Sequence, residues 1–422
     1  MGKTSLAKGS PYSISSTHFQ LCSSTILRGP QLSDPHLQAC KMFSFVKLLN
    51  RASARKNFGT LLSTRSSCAL GTRDFSAGLT ASRHVAPGCD EAPLPRSAVQ
   101  VPSRRLSGSR YNVPPSAEFV ARPSGIATMC KLPFQQSAEG LDAAFIGVPI
   151  DTGTSNRPGA RFGPRQIRAE SALLRQYCGG TRAAPYESLV VADIGDVNVN
   201  VYDLKDTCKR IREAYREIMA AGCVPLTLGG DHTISYPILQ AVAEKHGPVG
   251  LIHVDAHADT SDVVLGEKIG HGTPFRRCVE EGLLDCGRVA QIGLRGSAYS
   301  ADAYRWNREQ GFRVVPAEEC WSKSLTPLMA DIRQQVGGGP VYLSFDIDAL
   351  DPAFAPGTGT PEIAGLTPIQ ALEIIRGCRG LRLVGCDLVE VSPPYDTTGN
   401  TALTAANLLF EMMCVLPKVK YY

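Results

Sequence analysis

The stretch LIHVDAHADT (residues 251–260) places three polar side chains at alternate positions directly after an aliphatic run. Asp255, His257 and Asp259 are two residues apart, and the side chains of a β-strand alternate between its two faces. These three side chains can therefore point to the same side as the strand runs out into a loop. The aliphatic run before them predicts a strand that is buried on both faces, as in a parallel sheet.

Seven other aliphatic runs share this character, at residues 142–149, 188–195, 223–230, 288–295, 312–317, 340–348 and 381–391. Helical patterns lie between most of them. In the pattern at residues 366–380, Thr367 and Gln370 can form a capping box around Pro368. Strands that alternate with helices build a parallel sheet covered on both faces. The sequence therefore predicts an α/β fold with three αβα layers and a single eight-stranded, mainly parallel sheet, in one domain over residues 118–422.

Two more of the predicted strands end in polar residues. SFDIDALDP supplies Asp346 and Asp348, and LTLGGDHT supplies Asp231 and His232. In parallel sheets, ligands bind at the carboxyl ends of the strands. One Asp or His at a strand end is usually a loop cap. Several carboxylates gathered in one pocket, however, repel each other unless cations neutralise them, so we predict a metal site.

The ligand types indicate which metal this site binds. A set dominated by carboxylates, with a minority of imidazoles and no thiolate, suits Mn²⁺, and six ligands are too many for one tetrahedral Zn²⁺. Such a set fits two metals that share bridging carboxylates and lower the pKa of a water between them, making hydroxide available near neutral pH. The candidate ligands of this dimanganese centre are the Asp and His residues at these three strand ends.

Several motifs resemble those of a known family. GGDH, DAHAD and SFDIDALDPAFAPGTGTPE are similar to the three signatures of the ureohydrolase (arginase/agmatinase) family. GVPIDTGTSNRPGARFGPRQIR, HGTPFRR and DLVEVSPPYD narrow the resemblance to its agmatinase branch. The similarity runs from about residue 118 to the C-terminus, and no motif position departs from the family pattern.

The resemblance implies a role for each residue. His232, Asp255, Asp259 and Asp346 would hold one metal, and His257, Asp348 and the shared Asp255 and Asp346 would hold the other. Three further implications concern catalysis: Glu390 would grip the substrate guanidinium, Asp259 would pass a proton to the departing amine, and His271 would export a proton. The alternatives are a structural salt bridge for Glu390 and an ordinary surface histidine for His271. We expect Asp231 to support the site, Asp351 to orient its loop and His253 to be a satisfied core histidine.

The implied reaction is hydrolysis of a small linear guanidino compound to urea and a primary amine. The substrate is agmatine, a short guanidino acid such as guanidinobutyrate, or both, and arginine is disfavoured. The charge of the substrate's tail would be read by loop residues of both signs, namely Asp151, Asn156, Arg157, Arg161, Asp262, Glu267 and Lys268. An alternative is a catalytically weak homologue that binds guanidino compounds or acts as a regulatory protein. The family resemblance also implies a homo-oligomer, either a trimer or a hexamer.

The N-terminal residues differ in composition from the rest. No acidic residue occurs between Asp34 and Asp74, and MFSFVKLLNRASARKNFG, which begins at Met42, is amphipathic and basic on a helix. This composition predicts a mitochondrial transit peptide at residues 42–83 and localisation in the matrix, the alternative being a disordered basic tail. We expect residues 1–41 to be a disordered upstream extension and residues 84–117, rich in Pro and Ser, to be a linker.

Bulk composition limits the remaining functions. The net charge of +5 is mild and gives no reason to expect a nucleic-acid partner. No apolar run is long enough to predict a membrane span. The 14 cysteines are scattered without CxxC pairs, which favours reduced, mostly buried thiols.

Overall fold

Ten strands and eight helices form in residues 110–422, the part of the chain that the computed structural model describes. The strands are β1 (Ala143–Val148), β2 (Ala183–Ala184), β3 (Val191–Asp196), β4 (Val224–Gly229), β5 (Val249–Val254), β6 (Leu284–Leu294), β7 (Arg313–Pro316), β8 (Pro340–Asp346), β9 (Arg382–Val389) and β10 (Lys420–Tyr421). The helices are α1 (Gly163–Glu170), α2 (Leu204–Ala220), α3 (Ser235–His246), α4 (Pro274–Glu280), α5 (Arg305–Glu309), α6 (Thr326–Val336), α7 (Pro368–Gly377) and α8 (Asn400–Cys414).

Eight strands form one sheet in the order β3-β1-β4-β9-β8-β5-β6-β7, and every neighbouring pair is parallel. Each strand of this sheet overlaps one of the eight predicted aliphatic runs. The predicted α/β class and the single eight-stranded sheet are therefore confirmed, and the sheet is wholly parallel. The short strands β2 and β10 pair antiparallel with each other, apart from the main sheet.

Helices cover both faces of the sheet. Buried residues of α1, α6, α7 and α8 join one hydrophobic core, and those of α2, α3 and α4 join another. Adjacent strand residues divide between the cores, as Ile252 and Leu251 of β5 do, because strand side chains alternate in direction. This arrangement is the predicted αβα sandwich.

The helix starts follow from local sequence. Asp203 caps α2 by accepting a hydrogen bond from the backbone N–H of Asp206 at 3.0 Å. At α7, the Thr367 hydroxyl accepts from the N–H of Gln370 at 3.3 Å, and the Gln370 side chain accepts from the N–H of Thr367 at 3.0 Å. The predicted capping box is thus confirmed, and α7 ends at Gly377.

The predicted extension and transit peptide lie outside the described residues, as does most of the predicted linker. Within that linker segment, Asn112 is buried and donates a hydrogen bond to the carbonyl of Val191 at 2.9 Å. The boundary at residue 118 stays a prediction. Over residues 110–422, no helix combines the length and apolar character needed to cross a membrane.

Candidate metal centre and active site

Four adjacent strands in the middle of the sheet, β4, β9, β8 and β5, end at the same edge. The chain leaves these ends with the predicted polar residues, so neighbouring strands deliver them to one place. The structure brings together the six predicted ligands and the three predicted catalytic residues: His232, Asp255, His257, Asp259, His271, Asp346, Asp348 and Glu390, with Asp259 belonging to both sets. Strand order thus explains how distant sequence motifs form one cluster.

The first group of polar atoms surrounds one nitrogen of His232. Its Nδ1 lies 3.1 Å from an oxygen of Asp255, 3.1 Å from one of Asp259 and 3.2 Å from one of Asp346. His232 is fully buried, and Nδ1 has no hydrogen-bond partner within residues 110–422. Four atoms that can all act as electron-pair donors therefore face a common point.

The other ring nitrogen determines which tautomer a neutral His232 adopts. Nε2 of His232 lies 2.8 Å from the hydroxyl of Ser344, and that hydroxyl donates its own proton to Asp387 at 2.7 Å. Asp387 also accepts from Ser235 at 2.7 Å and from Tyr342 at 2.9 Å. The Ser344 oxygen must then accept a proton from Nε2, so a neutral His232 presents a bare Nδ1 to the three carboxylates.

This arrangement fits a metal ion. Ligands held at right angles about 2.1 Å from a small divalent cation lie about 3 Å apart. The 3.1–3.2 Å separations around His232 Nδ1 match that spacing, and a cation would satisfy an otherwise unpartnered buried atom. The donor set, one imidazole and three carboxylates, suits Mn²⁺.

A second group shares Asp255 with the first. Nδ1 of His257 lies 3.1 Å from Oδ2 of Asp348 and 3.5 Å from Oδ1 of Asp255. Oδ2 of Asp255 faces His232, so the two oxygens of one carboxylate serve the two groups. Asp348 is held in place by the backbone N–H of Ala256 at 3.2 Å and the Thr360 hydroxyl at 3.3 Å.

The electrostatics of the cluster also call for positive charge. Burial, then the charges of Asp348 and Asp255, raise the pKa of Asp346 well above its usual range. Burial lowers the pKa of His232, but the surrounding carboxylates outweigh burial and raise it well above its usual range. Burial acts to raise the pKa of Asp255, but the neighbouring imidazoles reverse this effect and hold it well below its usual range. The cluster therefore binds cations, whether protons or metals, favourably.

His253 lies close enough to Asp255 and His232 to join the first group. Its two ring nitrogens are already used, however. Nε2 lies 2.7 Å from Oδ2 of Asp255, and Nδ1 lies 2.9 Å from the side-chain nitrogen of Gln291. We therefore read His253 as a hydrogen-bonded support for Asp255, and Phe275 packs against the His253 and His232 rings at 4.3 and 5.3 Å.

Glu390 presents one occupied and one unoccupied oxygen. Oε1 accepts from the backbone N–H of His232 at 2.9 Å and lies 3.2 Å from Nδ1 of His271. Oε2 is buried and has no hydrogen-bond partner among the residues that the structure describes. Burial lowers the pKa of His271, but Glu390 more than compensates and raises it to about 9.

Two of the catalytic candidates have left-handed backbones, which non-glycine residues adopt only at a cost. The φ angles are +52° at Asp259 and +64° at Glu390. Strain of this kind clusters at functional sites because the surrounding structure holds the side chain in a set direction. Neither conformation could be read from the sequence.

A cavity of about 390 Å³ opens beside the cluster. Its wall carries many hydroxyl groups, including those of Ser155, Thr260, Tyr304 and Thr360. Among the described residues that line it, Asp259 and Asp346 are the only carboxylates, and both belong to the cluster. The cavity therefore offers hydrogen-bond donors and no free acid to a ligand that reaches the metals.

The structure pairs most of the charged residues expected to read the substrate's tail. Asp151 binds the guanidinium of Arg161 at 2.6 Å, and Asp262 binds Arg277 at 2.6 Å. The guanidinium of Arg157 lies over the ring of Tyr395, 5.1 Å from its centroid. None of these expected residues, nor Asn156, Glu267 and Lys268, belongs to the cavity lining.

Asp231 and Asp351 make the supporting contacts expected of them. Asp231 accepts from the backbone N–H of Gly153 at 2.8 Å and of Thr233 at 3.0 Å. Asp351 accepts from the N–H of Ala353 at 2.9 Å and of Gly365 at 3.0 Å, so it orders its own loop.

Apart from His253, the sequence prediction missed a row of polar residues one pleat below the ligands. Gln291, His253, Ser344 and Asp387 are register neighbours across β6, β5, β8 and β9. Each is a polar residue inside an aliphatic strand, which is the one signal the sequence offered. Arg295 was missed too; its guanidinium donates to six backbone carbonyls, including those of Asp348 and Ala349, and so fixes the loop after β8.

The fold and the cluster together define a class: α/β proteins whose parallel sheet assembles carboxylates and imidazoles able to hold metal ions at the ends of its central strands. Within that class, residues 141–414 match the Arginase family, and the chain belongs to it. The resemblance found in the sequence motifs is thereby confirmed.

Known proteins are similar in sequence to about three quarters of this chain. The chain is 74% identical over 324 residues to "Agmatinase, mitochondrial" of Gallus gallus, covering 77% of this chain and 95% of that protein. It is 72% identical over 317 residues to "Guanidino acid hydrolase, mitochondrial" of Homo sapiens, covering 75% and 90%. The solved proclavaminate amidino hydrolase of Streptomyces clavuligerus has a TM-score of 0.67 at 39% identity, covering 70% of this chain and all of that one.

Proposed function

We propose that this protein is a dimanganese hydrolase that releases urea from short linear guanidino acids. The observation that carries the proposal is the buried, unpartnered Oε2 of Glu390 beside a cluster that fits two cations. Membership in the Arginase family and the printed names of the relatives support the same reaction class.

The residues divide into two ligand sets that share two carboxylates. His232 and Asp259 would hold one ion and His257 and Asp348 the other, with Asp255 and Asp346 common to both. Asp255 is suited to sharing because its two oxygens face different imidazoles. When bound, a metal pair lowers the pKa of water and supplies hydroxide near neutral pH.

Glu390 would bind the substrate guanidinium. A planar cation with several N–H donors is recognised well by a carboxylate, and Oε2 has no competing donor. The left-handed backbone at Glu390 aims the side chain, and the N–H of His232 fixes its other oxygen. Binding would therefore place the guanidinium carbon next to the ligand cluster.

Asp259 and His271 would handle protons. The Asp259 side chain is 9% exposed and reaches both His232 and the cavity wall, so it can carry a proton to the departing amine. Nε2 of His271 lies 2.7 Å from the hydroxyl of Ser155, and both residues also line a second cavity of about 320 Å³. His271 can thus pass a proton from the site to this second cavity.

The cavity lining favours a guanidino acid over agmatine. An amine tail would find no free carboxylate there, whereas a carboxylate tail can accept hydrogen bonds from hydroxyl groups such as those of Tyr304 and Ser300. Agmatine is the second candidate, because one relative at 74% identity is named an agmatinase.

The cellular setting is also part of the proposal. Both relatives carry mitochondrial names, which agrees with the transit peptide predicted at residues 42–83 and with the matrix as destination. A fusion of residues 1–83 to a fluorescent protein tests this, since a cytosolic signal would exclude it. We also propose a homo-oligomer, trimer or hexamer, to be measured by light scattering after size-exclusion chromatography.

The central test is urea release by the Mn²⁺-loaded protein from guanidinobutyrate, guanidinopropionate, agmatine and arginine. We expect the highest kcat/KM for a guanidino acid, and Glu390→Gln as control should abolish most of it. If urea were released fastest from agmatine, the proposal that the substrate carries a carboxylate tail would be refuted. No urea from any compound would refute the enzyme and support a guanidino-binding protein.

A further inference from the structure

A chain of hydrogen bonds runs from the cavity wall to Asp255. The Thr260 hydroxyl lies 3.2 Å from Oδ1 of Asn307, and Nδ2 of Asn307 lies 2.6 Å from Oε1 of Gln291. Nε2 of Gln291 lies 2.9 Å from Nδ1 of His253, and Nε2 of His253 lies 2.7 Å from Oδ2 of Asp255. We call these five residues the relay; Asn307 is 1% exposed, and Gln291, His253 and Asp255 are fully buried.

The relay has one direction. An amide nitrogen can only donate, so Nδ2 of Asn307 turns the Gln291 oxygen toward itself and the Gln291 nitrogen toward His253. That nitrogen also donates to the carbonyl of Ala258 at 2.8 Å, which holds the same orientation. Nδ1 of His253 must then accept. The single proton of a neutral imidazole lies on Nε2 and is donated to Asp255.

We propose that Asn307 and Gln291 are positioning residues of the metal centre. Through His253 they hold Asp255, the carboxylate whose two oxygens face the two ligand groups. Groups that orient a ligand from behind set its affinity for metal, and losing one lowers metal affinity about 10- to 100-fold. This inference rests on the proposed metal centre, although it does not depend on the substrate.

The relay also reaches the cavity that would receive substrate. Asn307 lies in α5, directly after a loop of which Ser297, Tyr299 and Tyr304 belong to the cavity lining. Thr260 follows Asp259 and lines the same cavity. The wall around the substrate and the bridging carboxylate are therefore held by one hydrogen-bonded unit.

A variant that reverses the donor–acceptor direction of the relay's hydrogen bonds distinguishes a positioning role of Asn307 from a packing role. Asn307→Asp keeps the shape of the side chain but removes its only donor. Gln291 would then turn its nitrogen toward residue 307 and its oxygen toward His253, giving up its bond to the carbonyl of Ala258. The His253 proton would move to Nδ1, leaving a bare Nε2 facing Asp255. Asn307→Ala removes the contact without reversing it. If residue 307 served only packing, the isosteric change would be the milder one.

The readout is metal loss from the Mn²⁺-loaded protein during dialysis against a chelator, followed by elemental analysis. We expect Asn307→Asp to lose metal about 10- to 100-fold faster than wild type, and Asn307→Ala to fall between them. The matched control is Arg305→Ala, at an exposed position on the same helix where the arginine pairs with Glu309, and it should retain metal as wild type does. Wild-type retention by Asn307→Asp, or faster loss from Asn307→Ala, would overturn the proposal.

Two additions keep the test decisive. If Asn307→Asp does not fold, Gln291→Glu removes the donor facing His253 at the neighbouring link and carries the same expectation. The unfolding temperature of metal-stripped variants separates loss of metal from loss of fold. If the wild-type protein retains metal but releases no urea, the proposed reaction is refuted and the relay is not. If Asn307→Asp and Gln291→Glu both show normal turnover and unaltered metal retention, only the relay is refuted.

Discussion

His271 and Glu390 form an ion pair that uses only half of the carboxylate. Nδ1 of His271 lies 3.2 Å from Oε1, and Oε2 has no hydrogen-bond partner in the described part of the chain. Burial lowers the pKa of His271, but Glu390 raises it to about 9, so the imidazole is protonated at neutral pH. A substrate cation must therefore share Glu390 with a cation of the protein.

Replacing Glu390 with glutamine should weaken substrate binding. Glu390→Gln keeps the shape of the side chain but removes its charge, and a hydrogen bond to a charged group contributes about 1.5–3 kcal/mol. We expect KM to rise about 10- to 100-fold, with the manganese content unchanged because Glu390 is outside the ligand sets. Steady-state urea release and elemental analysis check this. Loss of metal from the variant would contradict the role given to Glu390.

Substrate binding should improve as the pH rises. His271 loses its proton as pH passes through about 9 and stops competing for Glu390, while the substrate guanidinium, with a pKa above about 12, stays charged. KM should fall between pH 7 and about pH 9.5. In His271→Asn, KM at neutral pH should lie below the wild-type value and vary little with pH, whereas kcat should drop about 100-fold or more.

The His271–Glu390 pair should also make the stability of the fold depend on pH. The pKa of His271 is raised from 6.5 to about 9 in the fold, so its stabilising contribution is full below pH 6.5 and is lost as pH rises through 9. The unfolding temperature of the metal-stripped wild type should therefore fall more over this pH range than the unfolding temperature of metal-stripped His271→Asn. Equal pH dependence in the two proteins would show that the pair is not charged.

Two aspartates after β8 should respond differently to the same substitution. Asp348 lies 3.1 Å from His257 within the cluster, whereas Asp351 accepts hydrogen bonds from the backbone of its own loop. We expect Asp348→Asn to lose at least one manganese per chain and Asp351→Asn to keep both, as measured by elemental analysis after gel filtration. If only Asp351→Asn lost metal, Asp351 and not Asp348 would be the metal ligand.

The capping box of α7 should matter for stability and not for catalysis. Thr367→Ala removes the hydroxyl that accepts from the N–H of Gln370, which costs about 1 kcal/mol at a typical N-cap. A lowered unfolding temperature with unchanged kcat/KM is expected. Ser at the same position keeps the hydroxyl and should restore the wild-type value.

Local pattern was enough to predict most of the fold. The eight sheet strands are apolar runs bounded by turns, and burial on both faces requires such runs. The strand β6 begins four residues before its predicted run because Asp285 and Gly287 are exposed at that end. Helix α7 was predicted from its capping residues, whose contacts are local in the chain.

The sequence predicted the site residues that follow strand ends at a spacing of two, and the family motifs added His232, His271 and Glu390. The ligands in DAHAD and DID satisfy that condition. Asp387, Gln291 and Asn307 do not, because their importance comes from register between neighbouring strands or from a distant helix. Register depends on tertiary packing and cannot be read from an isolated polar residue in an aliphatic run.

The left-handed backbone of Glu390 bears on how this protein can change over generations. Glycine adopts φ +64° without the cost that a glutamate incurs, and it is one nucleotide away from glutamate in the genetic code. A change to glycine would remove the grip on the guanidinium and ease the backbone, but it would also remove the acceptor of the His232 N–H and the ion-pair partner of His271. Demand for the reaction and these two contacts together keep glutamate at residue 390, so a descendant freed from that demand would still lose two contacts on changing to glycine.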